Sequence, residues 1–112
     1  MSDYRFKAQL QKGTATLATS KQEYDQAPTY SEAVAVVEGL KSEGKSALPK
    51  KAHEDFESTV DQVLTWIENN RGTSYRRNGD ITAARREFKY SGETYRVDIG
   101  IGGETVNSIW FV

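Results

Sequence analysis

The single histidine, His53, stands beside Glu54 and Asp55, and a histidine flanked by carboxylates is the first place to look for a base or a metal ligand. A zinc-hydrolase helix needs a second histidine four residues on, one turn later on the same face, and that position holds Glu57. His53 therefore reads as a solvated residue at a helix start, where neighbouring acids suit the positive end of the helix dipole. Gly100-Ile101-Gly102-Gly103 resembles a phosphate-cradling loop, but the sixth position of the pattern is Thr105 and strand-like residues follow where a helix should open. It reads as a hairpin turn. The serines lack a nucleophile elbow, and the carboxylate pairs Asp55 with Asp61 and Asp98 with Glu104 carry no acid-base signature in spacing alone. The sequence thus points to no catalytic residue, no metal ligand and no cofactor, and the expectation is a protein that is not an enzyme.

The remaining chemistry is cationic. Arg71-Gly72-Thr73-Ser74-Tyr75-Arg76-Arg77-Asn78-Gly79 joins guanidinium groups, which chelate phosphates or carboxylates, to a tyrosine able to stack on a base. Residues 71–90 hold five arginines and one lysine against two acids, +4, whereas residues 30–70 hold four lysines against eight acids, −4. The segment reads as a short, mobile, basic loop, although Asn78-Gly79 is also a type I′ hairpin signal. In a strand, Arg85 and Arg86 fall on opposite faces, so one of them joins the cluster. The expected partner-binding set is Arg71, Tyr75, Arg76, Arg77, Arg86 and, from the apolar end of the chain, Trp110. The plainer alternative pairs these arginines with an acidic helix face bearing Glu54, Asp61 and Glu68. Surface ion pairs contribute only about 0 to 1 kcal/mol each, so a cluster this dense exceeds what stability alone calls for.

The elements that must position these residues follow from periodicity. Tyr4, Phe6, Ala8 and Leu10 alternate with polar residues as in a strand with one buried face, and Thr14 to Thr19 reads as its hairpin partner, followed by a loop over Ser20 to Pro28. Thr29 and Glu32 form a capping-box pattern, and Tyr30, Ala33, Val34, Val37 and Leu40 make an apolar helical stripe, with Val36 at its margin and Gly39 or Gly44 as the stop. Phe56, Val60, Val63, Leu64 and Ile67 define a second amphipathic helix with Pro49 in its first turn, Trp66 at the edge of the core and Gly72 as terminator. Turn signals at Ser91-Gly92 and Gly102-Gly103 divide the rest into strand runs at 81–90, 94–101 and 105–112. The expected fold is α+β, order β-β-α-α-β-β-β, with both helices on one face of an antiparallel sheet. Its core should hold Phe6, Leu10, Val37, Leu40, Phe56, Val60, Val63, Ile67, Val97 and Ile99.

A chain of 112 residues has apolar surface for one core, so residues 1–112 are read as a single domain. Hydrophobic residues at 37% and charged residues at 28% are the balance of a folded domain, and neither a signal-peptide run nor a membrane-spanning stretch is present. With no cysteine, disulfides and thiolate sites are excluded, and a cytoplasmic location is expected. The functional reading is a small non-catalytic protein-interaction domain, an inhibitor or adaptor that occludes a larger protein. Small cysteine-free domains of phage and bacterial origin supply the analogy. The alternative is a nucleic-acid-binding accessory domain using residues 71–86, against which stands the net charge of −1. Ile109-Trp110-Phe111-Val112 is apolar on both faces, so either neighbouring elements cover it or it pairs with a partner, a second copy included.

Overall fold

Alternation in the first residues decides the architecture. The computed structural model describes residues 4–112, with the side chains of 76–78 and 104–107 outside the description. Strand β1 (Tyr4–Lys12) turns through Gly13, at φ +61°, into β2 (Ala15–Tyr24), and β2 takes in Ser20 to Tyr24 where a loop was expected. Helix α1 (Tyr30–Ser46) begins at the expected capping box: Thr29 N donates to Glu32 Oε1 at 2.9 Å, and Glu32 N donates to Thr29 Oγ1 at 3.2 Å. It runs through both Gly39 and Gly44, because tertiary contacts use them as close-approach points. The Phe56 ring occupies the space a side chain at Gly44 would fill. After Pro49 a single 3₁₀ turn (Lys50–Ala52) leads into α2 (His53–Asn69), which puts Pro49 just before that turn. Gly72, at φ +73°, then reverses the chain as expected.

The rest of the chain is one long antiparallel hairpin, β3 (Thr73–Tyr90) and β4 (Glu93–Trp110). Ser91 and Gly92 both adopt positive φ, 52° and 78°, the geometry of a two-residue type I′ turn. The second expected turn does not form. Gly102 and Gly103 stay in β4, paired on both sides, so the runs at 94–101 and 105–112 are continuous. Nor is the arginine-rich segment a loop, since β3 begins at Thr73 and continues through Asn78-Gly79, with a register shift at Arg77 and Gly79 at φ +102°.

The four strands lie in the order β2-β1-β4-β3, all antiparallel, with α1 against β1 and β2 and α2 against β3 and β4. This is the expected α+β arrangement of two helices on one sheet face. Every residue of the expected core is fully buried, and Leu48, Ala52, Ile101, Trp110 and Phe111 join them. Burying side chains of the size of Phe56, Val60, Val63 or Ile67 stabilises the fold by about 1.5–3 kcal/mol each. A β-bulge at Ala83 shifts the register between Thr82 and Ala84, so Ile81 and Ala84, three residues apart, both face the helices. Downstream of it Arg85 lands opposite Asp98 and Phe88 turns inward.

The apolar end of the chain folds back on its own core. Phe111 N donates to Pro28 O at 2.9 Å, Tyr30 N donates to Val112 O at 3.1 Å, and Gly72 N donates to Trp110 O at 2.8 Å. These bonds hold Phe111 at φ +60°, a left-handed conformation unusual for an aromatic residue, with its ring against Phe6 and Trp66. Only Ile109 and Val112 of this run are exposed.

Candidate functional site

The helices cover one face of the sheet and leave the other open. Because side chains alternate across a strand, burying Phe6, Ala8 and Leu10 sends Arg5, Lys7, Gln9 and Gln11 to the open face. The register then assembles four rows across β2, β1, β4 and β3: Glu23, Arg5, Gly102 and Asp80; Lys21, Lys7, Gly100 and Thr82; Thr19, Gln9, Asp98 and Arg85; Thr16, Gln11, Arg96 and Glu87. Every position is polar, charged or glycine, and none is aromatic.

Charges on this face are partly neutralised within it. Arg85 grips Asp98 with two bonds, Nε to Oδ1 at 3.0 Å and Nη2 to Oδ2 at 3.2 Å, and Asp98 is only 3% exposed. Hydrogen bonding to that carboxylate raises the Arg85 pKa above its ordinary value. Arg5 Nε donates to Asp80 Oδ1 at 2.9 Å across Gly102, and the Asp80 carboxylate lies where a side chain at Gly102 would have to stand. Lys7 and Lys21 are direct cross-strand partners, with no ion pair among the described residues. Between these rows lies the most enclosed hollow described on the molecule, about 210 Å³, lined by Arg5, Lys7, Lys21, Glu23, Asp80 and Gly100 among others.

The described members of the set expected from sequence do not share one surface. Arg71 stacks over Tyr30, its guanidinium 4.2 Å from the ring centre, beside the start of α1. Tyr75 is half-buried, edge-on to Trp110 at 6.3 Å. Trp110 is 2% exposed and also meets Tyr4 and Phe111, so it belongs to the core and offers no ring for a partner to cover. Arg86 lies on the helix side of β3 and donates through Nη1 to Arg85 O at 2.8 Å. The side chains of Arg76 and Arg77 lie outside the described residues. At about 3.3 Å per residue, the 13 steps from Thr73 to Arg86 span on the order of 40 Å, nearly the full 43 Å length of the molecule. A cluster in sequence becomes a line in space once the segment is a strand.

Among the described residues, the alternative pairing with the acidic helix face is not seen either. Among the described residues, Asp61 pairs with Lys41 at 3.1 Å and Glu57 with Lys45 at 2.5 Å, both across the helix pair, while the paired arginines turn to strand acids. No family model matches this chain, and neither a curated protein nor a solved structure does. Function must therefore be argued from the geometry itself. His53 is half-buried and bonds through Nε2 to Leu48 O at 3.1 Å, a structural role in place of the solvated one expected. Among the described residues, no three of His, Asp and Glu converge as a metal site would require.

What sequence reading missed is the set Arg5, Lys7, Lys21, Asp80, Gly100 and Gly102. The alternation of cations in β1 was visible but passes for an ordinary solvated face. Gly100-x-Gly102 carried a usable signal: two glycines spaced by two in a strand bare the backbone on one face, a feature of places where another group approaches closely.

Proposed function

We propose that this protein is a non-catalytic protein-interaction domain of the inhibitor or adaptor kind, which docks on a larger protein through the uncovered face of its sheet. The observation that carries this reading is the composition of that face, four polar rows with cations and carboxylates interleaved and no aromatic ring. Sheet surfaces that bind single-stranded nucleic acid rely on exposed aromatics for base stacking and on an excess of positive charge along the backbone track. Here the aromatic residues point to the helices, and mixed charge suits a protein surface of complementary pattern, where it sets orientation and association rate.

Capture from a lysate of the native cells tests this, using wild type, an open-face variant (Gln9→Trp with Thr19→Arg) and a helix-face variant (Ser58→Arg), each with and without nuclease. The expected result is a nuclease-resistant protein retained by wild type and by Ser58→Arg, and lost by the open-face variant. Retained nucleic acid that leaves with a steep dependence on salt would favour the other reading, and retention indifferent to the open-face changes would defeat docking through the sheet.

A further inference from the structure

We infer that Lys7, its stem laid across Gly100, and Lys21 form a seat for one carboxylate side chain of an acidic segment on the docking partner; this rests on docking through the open face. The first reason is the pair itself. Like charges directly opposite on neighbouring strands are destabilising, yet Lys7 and Lys21 face each other with no acid in their own row. Acids are near, but they are engaged or displaced along the strands. Asp80 is drawn to Arg5, and Glu23 makes no ion pair among the described residues.

The second reason is shape. Gly102 leaves room for the Asp80 carboxylate to reach Arg5, which withholds that guanidinium from the hollow. Gly100 is buried, and the Lys7 stem lies across it, with Cε 3.1 Å and Cγ 3.3 Å from where a Cβ would stand, so the missing side chain lets Lys7 lie along the floor of the hollow. The hollow of about 210 Å³ is smaller than the roughly 300–1,000 Å³ of pockets that enclose whole small molecules. It suits a single side chain entering from a docked surface. The third reason is the rim. Three cations, Arg5, Lys7 and Lys21, meet two carboxylates, Glu23 and Asp80, leaving one net positive charge at the hollow. That suits one anionic group at the hollow.

The test is a ¹H–¹⁵N chemical-shift titration of the intact chain with a capped tetraglutamate peptide, with capped tetraglutamine and inorganic phosphate as the other arms. Saturable shifts at Lys7, Lys21, Gly100 and Gly102 are expected with tetraglutamate, absent with tetraglutamine and weaker with phosphate. Replacing both lysines, Lys7→Gln with Lys21→Gln, should weaken binding by about tenfold, the equivalent of roughly one charge-assisted hydrogen bond. Asp80→Asn releases Arg5 into the hollow and should tighten binding severalfold; since it keeps both lysines, its result stands apart from any folding defect in the double variant. Shifts no larger here than at Lys50 and Lys51, phosphate binding tighter than tetraglutamate, or an unchanged affinity in Asp80→Asn would each overturn the seat. If the seat fails while lysate capture still depends on the open face, only this inference falls. If tetraglutamate binds as described while capture ignores that face, the docking reading falls and the seat stands.

Discussion

On the helix side of the sheet Phe6, Ala8, Leu10, Val97, Ile99 and Ile101 lie buried beneath α1 and α2, while on the other side the same strands hold Arg5, Lys7, Gln9, Gln11, Arg96 and Asp98. One backbone thus supports two surfaces under different physical constraints. On the covered side each residue is fixed by volume and by the cost of a void. On the open side residues are fixed by cross-strand partners, and positions without a partner inside the molecule are free to serve something outside it. Among the described residues Lys7 and Lys21 are such positions, whereas Arg85 and Asp98 are not.

The sharpest way to break that comparison is to truncate one residue on each side. Ile67→Ala, in the fully buried stripe of α2, should lower unfolding free energy by about 2–5 kcal/mol. Gln9→Ala on the open face should change it by no more than about 0.5 kcal/mol. Denaturant midpoints measure both, and similar losses would show that the open face is a second packed surface. Next comes Gly44→Ala. The added methyl group meets the Phe56 ring, and overpacking of this kind costs about 1–3 kcal/mol. A neutral result would mean that the two helices slide apart at little cost.

Within the open face, two ion pairs differ in how deeply the carboxylate is held. Asp98 is nearly inaccessible, whereas the Asp80 side chain is 54% exposed. Arg85→Ala strands a carboxylate away from water and should lower the thermal midpoint clearly more than Arg5→Ala does. Equal shifts would show that solvent reaches Asp98 freely. A smaller effect of opposite sign is expected at the lysine pair: Lys21→Gln removes a like-charge contact and should raise stability by about 0.2–1 kcal/mol, the gain shrinking as salt is added. A loss of stability at low salt would place Lys21 among the structural residues.

The smallest effect concerns the helix pair. The hydrogen bond from Lys45 holds the Glu57 carboxyl below its ordinary pKa. A folded-state value below the unfolded one gives stability that is present above the unfolded carboxylate pKa and is lost as pH falls through the folded one. The Glu57→Gln variant should therefore lose less stability than wild type on acidification across that window. Thermal midpoints at a series of pH values compare the two, and parallel curves would mean that the pair adds nothing in solution.

The sequence by itself determined the two helices, the start of the first hairpin, the Ser91-Gly92 turn and ten residues of the core. Each of these is local, since a capping box, a turn dipeptide or a period of two or 3.6 acts between residues close in the chain. It was misleading wherever a residue type has two meanings that only neighbours separate. Gly102-Gly103 has the composition of a turn, but with β1 on one side and β3 on the other its backbone groups are paired in the sheet, and a turn would have to break them. Residues 71–86 look like a basic patch until β3 stretches 73–86 along an edge of the sheet. Trp110 looks like an exposed anchor until the chain's last residues bond back to Pro28 and Tyr30 and turn its ring inward. The candidate site was the least legible part. Lys21 lies in the part of β2 expected as a loop, and Gly100 meets Lys7 only because β4 pairs with β1, so the order β2-β1-β4-β3 completes the set, and that order reflects which faces must be buried, a property of the whole chain rather than of any window in it.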